Sequence, residues 1–119
     1  MSAHADVRHE NGVAVVDLSG KITLGDGCGL VRDTIKNLIA SGHKDILLNV
    51  QNVSYLDSAG LGELVGSYAT VSNLGGRIKL VHVDGKVKDL LQVTKLYTVF
   101  VTFTDEGEAL RSFASAASA

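Results

Sequence analysis

The sequence is short of the residues that build disulfide frameworks, metal sites and membrane spans. Cys28 is its only cysteine, so no internal disulfide forms, and no Cys/His spacing resembles a metal site. Proline is absent, for which we have no physical account, and no apolar run has the length of a bilayer span or a signal peptide. We therefore expect a cytoplasmic protein without membrane insertion, bound metal or cofactor.

An excess of charge of one sign is also missing. Thirteen acidic and eleven basic side chains give a formal net charge of −2. Nucleic-acid binding needs a clustered Lys/Arg surface that displaces counterions from phosphates, so the balance argues against a nucleic-acid partner. The one basic cluster is interleaved with acidic residues, which is typical of a solvated helix face; it consists of Lys86, Lys88 and Lys95, beside Asp84 and Asp89.

The length of the chain fits one globular domain. Its 119 residues are 45% hydrophobic and 20% charged, enough for a single core and too few for a second catalytic domain. We expect this domain to span residues 1–119, with a core from about residue 5 to residue 113. The Ser/Ala-rich C-terminal end is expected to be a flexible tail.

The first half of the sequence predicts two strands, a helix and a buried strand. Asn11 and Gly12 break residues 7–18 into two strands of an antiparallel hairpin, because both tolerate the positive φ of a tight turn. Helical spacing of apolar residues predicts a helix over residues 27–41. The apolar run at residues 46–50 predicts the central strand, covered by helices on both faces.

The second half repeats the alternation of helix and strand. A helical stripe begins at Leu61 and runs to the glycines at 75–76, and the next elements are a strand at 78–83, a helix at 85–93, a strand at 99–103 and a helix at 106–113. This order predicts an α/β fold. We expect a four- to five-stranded, mostly parallel sheet with an antiparallel N-terminal edge hairpin and about four helices.

Ser58 is the main functional candidate, because it lies beside Asp57 at the junction of a loop and a helix. Free N–H groups at a helix N-terminus favour added negative charge, so a phosphate on Ser58 would be stabilised there. Serine is also a favoured N-cap, so the alternative is that the Ser58 hydroxyl only accepts a helix N–H and has no functional role. The carboxylate of Asp57 has a similar alternative as a turn residue that accepts backbone N–H groups.

Gly60 and Gly62 lie within the first turns of the same predicted helix. Each costs about 1 kcal/mol relative to alanine in a helix, so their presence needs a reason. Close approach of a partner or of neighbouring backbone is one reason. Tight packing of the helix on the sheet is the other.

A serine on a sharp turn before a helix also suggests the nucleophile elbow of hydrolases, Gly-x-Ser-x-Gly. Here Leu56 occupies the position two residues before Ser58, where the elbow needs a small residue. No histidine belongs to a recognisable triad segment. We therefore expect a protein that is not an enzyme.

The segment at residues 56–62 reads Leu-Asp-Ser-Ala-Gly-Leu-Gly. Together with the strand before it and the helix after it, it resembles the phosphoacceptor segment of STAS-domain proteins. The likeness is to the bacterial anti-sigma factor antagonists in particular. It extends along nearly the whole chain, because three further segments follow in the order that the family shows. These are Val-Ala-Val-Val-Asp-Leu-Ser-Gly-Lys-Ile at 13–22, Gly-Gly-Arg-Ile-Lys-Leu at 75–80 and Val-Lys-Asp-Leu-Leu-Gln-Val-Thr-Lys-Leu at 87–96.

The resemblance implies a regulatory role. In this family the serine at the position of Ser58 is phosphorylated by the kinase activity of a partner anti-sigma factor. The unphosphorylated form binds that partner and releases a sigma factor, and a serine phosphatase is a possible further partner. The partner-binding surface implied here consists of Asp57, Ser58, Ala59, Gly60 and Gly62, with Thr23 and Asp26.

The sequence departs from the family at the turn after the second strand. Many members carry an acidic residue two or three positions after the glycine that corresponds to Gly20, and Thr23 stands there in this chain. Asp26 either replaces that carboxylate or caps the next helix. Within the same family, a scaffold subunit of a sensory or lipid-transport assembly is the alternative to an antagonist.

Overall fold

The computed structural model describes residues 3–117 of the chain, and the side chains of residues 3–114. Its strands are β1 (His4–Glu10), β2 (Val13–Ile22), β3 (Asp45–Leu56), β4 (Arg77–Val81) and β5 (Thr102–Phe103). Its helices are α1 (Cys28–Ala40), α2 (Ser58–Asn73), α3 (Gly85–Val93) and α4 (Glu106–Ala117), and a 3₁₀ turn spans Leu96–Thr98. The predicted α/β fold is confirmed.

The five strands form one mixed sheet in the order β1-β2-β3-β4-β5. β1 pairs antiparallel with β2, and the remaining neighbours are parallel. Asn11 and Gly12 have φ values of 53° and 82°, as the tight hairpin turn between β1 and β2 requires. β3 lies in the middle of the sheet, as the apolar run at residues 46–50 predicts.

Side chains that alternate along the central strands pack on opposite faces of the sheet. The larger core lies between one face and α1, α2 and α3; its sheet residues include Ala14, Val16, Ile46, Leu48 and Leu80. The smaller core lies under α4 alone, and it consists of Val13, Val15, Leu47, Val81, Ala109 and Phe113. Helices therefore cover both faces of the central strands.

β3 is longer than the strand predicted at residues 46–50, so the loop predicted before Ser58 is strand as far as Leu56. β2 continues beside it, and two irregularities in their ladder bring Ile22 opposite Leu56. This pairing hydrogen-bonds one edge of the second half of β3, whereas β4 pairs with β3 only as far as Asn49. Gln51 and Asn52 are exposed, so the apolar pattern stops before the strand does.

β5 is shorter than the strand predicted at residues 99–103. Lys95 adopts the left-handed conformation with φ 62°, and a 3₁₀ turn follows it. Phe100 donates its N–H to the Leu96 carbonyl instead of joining the sheet. Only the end of the apolar run therefore reaches β4, where Phe103 accepts the N–H of His82.

The other boundaries differ from the predictions by a few residues. β4 ends two residues before the predicted position, and α3 matches the prediction at residues 85–93. α4 continues through Ala117, four residues beyond its predicted end. Residues 118 and 119 of the predicted flexible tail lie outside the described residues.

Candidate functional site

The candidate site lies where the carboxyl ends of β2 and β3 meet. Lys21 pairs with Tyr55 and Ile22 with Leu56, so the turn after β2 lies beside the junction between β3 and α2. α2 begins at Ser58, which is exposed. The ladder thus brings together two loops that are more than thirty residues apart in the sequence.

Asp57, and not Ser58, is the N-cap of α2. Its backbone is extended, and its Oδ1 accepts the N–H of Gly60 at 2.7 Å. Its Oδ2 accepts the N–H of Leu24 at 3.2 Å. The interpretation of Ser58 as the cap is therefore wrong, because Asp57 satisfies the first-turn N–H that a capping hydroxyl would accept.

The turn after β2 holds Thr23 and Asp26 at its two ends. Their backbones exchange hydrogen bonds of 2.6 Å and 2.9 Å, and the Thr23 hydroxyl also donates to the Asp26 carbonyl at 3.2 Å. Gly25 has φ 81°, the left-handed conformation that glycine adopts without a steric penalty. Leu24 lies at the tip of this turn with 80% of its surface exposed.

Asp26 does not cap α1. The N-cap is Gly27, which has φ 97° and supplies no side-chain hydrogen bond. That interpretation of Asp26 is therefore wrong. A role of the Asp26 carboxylate toward a partner stays a prediction, as does the corresponding role of Thr23.

The other predicted site residues occupy the first turns of α2 in different surroundings. Ala59 is partly buried and packs against the larger core. Gly60 is buried, and a Cβ built on it would lie closer than 3.0 Å to the Ile22 carbonyl oxygen. Gly62 is exposed and has no atom within 4 Å of such a Cβ. Close approach of neighbouring backbone therefore explains Gly60, and the fold itself gives no reason for Gly62.

Cys28 lies behind the site at the start of α1, with 7% of its surface exposed. Burial raises the pKa of its thiol, and the negative charges of Asp57 and Glu63 raise it further. The side chain is therefore a neutral thiol that contributes to the core. Glu63 also accepts a hydrogen bond from Arg32 at 2.7 Å, which joins α1 to α2.

The arrangement suits a modification or binding site better than a metal centre. In residues 3–117 no group of three or more His, Cys, Asp or Glu side chains is placed to hold a metal ion. Over the same range, no helix is both long and apolar enough to cross a bilayer. What the site offers is an exposed hydroxyl on the first turn of a helix, beside a carboxylate that caps it.

Sequence reasoning did not single out Leu24. A leucine in a glycine-containing turn carries no functional signal, since scattered apolar residues are normal on protein surfaces. Its relevance comes from the hydrogen bond between its backbone N–H and Asp57, which only the paired strands bring about.

Comparison with known families agrees with this geometry. Residues 4–109 match the family described as the STAS domain, which is most of the chain. This chain belongs to the STAS-domain family. The resemblance inferred from residues 56–62 and the segments around them is confirmed.

Two curated relatives of this STAS-domain protein are named as antagonists of anti-sigma factors. The anti-sigma F factor antagonist of Paenibacillus polymyxa is 28% identical over 111 residues, which cover 92% of this chain and 94% of the relative. The anti-sigma-B factor antagonist of Bacillus subtilis is 29% identical over 96 residues, which cover 81% and 86%. The similarity therefore spans the domain and is not confined to the motif around Ser58.

Solved structures share the fold. An anti-sigma factor antagonist from Mycobacterium paratuberculosis superposes with a TM-score of 0.81 at 23% identity, covering 93% of both chains. The Bacillus cell fate determinant SpoIIAA, solved in its phosphorylated form, superposes with a TM-score of 0.71 at 20% identity. The match covers 92% of this chain and 99% of SpoIIAA.

Proposed function

We propose that this protein is an anti-sigma factor antagonist with Ser58 as its switch. In the unphosphorylated state it binds an anti-sigma factor that has serine kinase activity, and a sigma factor is released. The observation that carries the proposal is the exposed Ser58 hydroxyl on the first turn of α2, left free because Asp57 caps the helix. The names of the two curated relatives support the same partner class.

The position of Ser58 suits a phosphoacceptor. In the transfer, the Ser58 oxygen forms a bond to the γ-phosphorus of ATP, the bond to the bridging oxygen breaks, and ADP leaves. The hydroxyl proton passes to a base of the kinase. The product adds a charge of about −1.5 to −2 near the positive end of the α2 dipole, where the fold tolerates it.

Binding is the property that changes on phosphorylation. A partner surface shaped for a small neutral hydroxyl beside Asp57 has no compensation for a desolvated phosphate, whose burial costs several kcal/mol. Repulsion between the phosphate and the Asp57 carboxylate becomes stronger when a partner excludes water from the site, which adds to that cost. SpoIIAA, which shares this fold, is itself known in a phosphorylated form. We place the protein in the cytoplasm, where sigma factors act, with a serine phosphatase restoring the hydroxyl.

Phosphorylation is tested with a purified anti-sigma factor kinase from the same organism and ATP. We expect one phosphate at Ser58, located by fragmentation of the tryptic peptide that spans residues 45–77. Ser58→Ala abolishes the modification, whereas Ser54→Ala, a change of an exposed β3 hydroxyl in the same peptide, leaves it intact. Modification elsewhere with Ser58 untouched would sink the assignment.

The switch is tested by titration calorimetry against the same anti-sigma factor. We expect Ser58→Ala to bind like the wild type, and Ser58→Glu to lose at least about tenfold in affinity, or roughly 1.4 kcal/mol. Ser54→Glu is the control, because it adds the same charge away from the helix start. Equal affinity of all variants would instead favour a scaffold subunit, which needs no switch at Ser58.

A further inference from the structure

Leu24 has an exposed side chain, but hydrogen bonds fix the position of its backbone. Its side chain lies at the tip of the turn between β2 and α1 and is 80% exposed, so it packs little against its own fold. Its N–H nevertheless donates to Asp57, and the turn around it is closed by two backbone hydrogen bonds between Thr23 and Asp26. The fold thus holds the backbone of a residue whose apolar side chain it does not bury.

The same carboxylate orders Leu24 and the helix that carries Ser58. One oxygen of Asp57 accepts from Gly60 in the first turn of α2, and the other accepts from Leu24. The position of the Leu24 backbone is therefore set relative to the Ser58 hydroxyl. A residue held in advance loses less conformational freedom when a partner covers it, which favours binding.

We propose that Leu24 is an apolar anchor for the anti-sigma factor, and that Asp57 is the positioning residue that holds it. This inference rests on the proposed function and adds an apolar contact to the turn that already holds the predicted partner residues Thr23 and Asp26. The partner it fits is an anti-sigma factor with an apolar pocket next to the site that receives the Ser58 hydroxyl. Continuity through Asp57 is what separates Leu24 from Val93, an equally exposed apolar residue on α3.

The role of Leu24 as an anchor is tested by substituting alanine at two exposed leucines, one near the start of α2 and one at its end. Leu24→Ala is compared with Leu74→Ala, since Leu74 is also exposed (48%) but lies at the far end of α2. In titration calorimetry against the anti-sigma factor kinase of the same organism, we expect Leu24→Ala to weaken binding at least tenfold. Leu74→Ala should change it less than twofold. Equal affinity of Leu24→Ala and wild type would overturn the anchor.

The positioning role is tested with Asp57→Asn. Asparagine is a good N-cap, so its one carbonyl oxygen can keep the bond to Gly60, but its NH₂ group cannot accept from Leu24. We expect the Leu24 amide of the isolated protein to exchange at least tenfold faster by NMR, with the Gly60 amide unchanged. Unchanged exchange at Leu24 would overturn the role of Asp57.

A double-mutant cycle links the two observations. If Asp57 acts through Leu24, Asp57→Asn weakens binding several-fold in the wild type and has little further effect in Leu24→Ala. Additive losses would show that Asp57 acts on the partner independently of Leu24, which contradicts the proposal. If wild type binds no anti-sigma factor, the proposed function fails and the anchor with it, whereas normal binding with an unaffected Leu24→Ala overturns the anchor alone.

Discussion

Gly60 and Gly62 lie two positions apart in α2, yet their neighbours differ completely. A Cβ at Gly60 would collide with the Ile22 carbonyl oxygen, which belongs to the backbone of β2 and cannot rotate away. A Cβ at Gly62 would meet open space. The fold therefore requires glycine at position 60. At position 62 the fold does not require it, and contact with a partner is the reason that is left.

Alanine at Gly60 and alanine at Gly62 should change the free energy of unfolding in opposite directions. We expect Gly60→Ala to lower the free energy of unfolding by about 1–3 kcal/mol through overpacking. Gly62→Ala should raise it by up to about 1 kcal/mol, because alanine is the better helix former at an exposed position. Urea unfolding of both variants measures this. If both variants were stabilised, the close contact between Gly60 and Ile22 would be ruled out.

At the scale of the element, α2 carries its candidate site at the end where its dipole is positive. The first turn holds Ser58 and the Asp57 cap, and the last turn holds Ser72, which is also exposed. A negative charge interacts favourably with the N-terminus of a helix and unfavourably with its C-terminus. The two serines therefore have the same side chain at opposite ends of the helix dipole.

Glutamate at these two serines should separate the helix effect from the effect of added charge. We expect Ser58→Glu to change the free energy of unfolding by no more than about 1 kcal/mol, since Asp57 offsets part of the gain from the dipole. Ser72→Glu should be the less stable of the two by about 0.5–1 kcal/mol, and this difference should become smaller in 1 M salt. Thermal unfolding at two salt concentrations checks both. Gross unfolding of Ser58→Glu would contradict a tolerated phosphate.

At the scale of the whole molecule, a charged network ties the edge hairpin to α4. The Arg8 guanidinium on β1 donates to both oxygens of Asp17 on β2, at 2.7 Å and 3.1 Å, and to Glu106 at the start of α4 at 2.8 Å. Asn49 on β3 donates to the same Asp17 at 2.8 Å. Hydrogen bonding by Arg8 holds the pKa values of Asp17 and Glu106 below their usual range.

This network should make part of the stability depend on pH. Because both carboxyl pKa values are lowered in the fold, their contribution is present above the unfolded value of about 4 and is lost as the pH falls through the folded values. We expect Arg8→Met to lower the free energy of unfolding by about 1–2 kcal/mol at pH 7. The difference from wild type should shrink toward pH 3.

Urea unfolding at pH 7 and pH 3 measures that difference. Arg111→Met is a suitable control, because Arg111 is an exposed residue of α4, and we expect it to change stability by less than about 0.5 kcal/mol at either pH. A loss in Arg8→Met that is the same at both pH values would show that packing of the long side chain, and not its charge, holds the elements together.

The sequence by itself determined the features that depend on neighbouring residues. Asn11 and Gly12 specify the hairpin turn through their own backbone preferences, and periodicity located α1 to α4 to within a few residues. The motif at residues 56–62 and three further segments in the family's order indicated the family, because each of them is contiguous in the sequence. Local preferences and apolar spacing act within a few residues, so they can be read from the chain alone.

Only the tertiary structure decided the features that depend on distant partners. The length of β3 depends on β2, which pairs with it as far as Ile22 and Leu56. β5 is short because the chain turns after Lys95, before it reaches the sheet. Asp57 caps α2 and holds Leu24 across 33 positions of sequence. Parallel pairing joins segments that the sequence separates, so no local pattern contains these contacts.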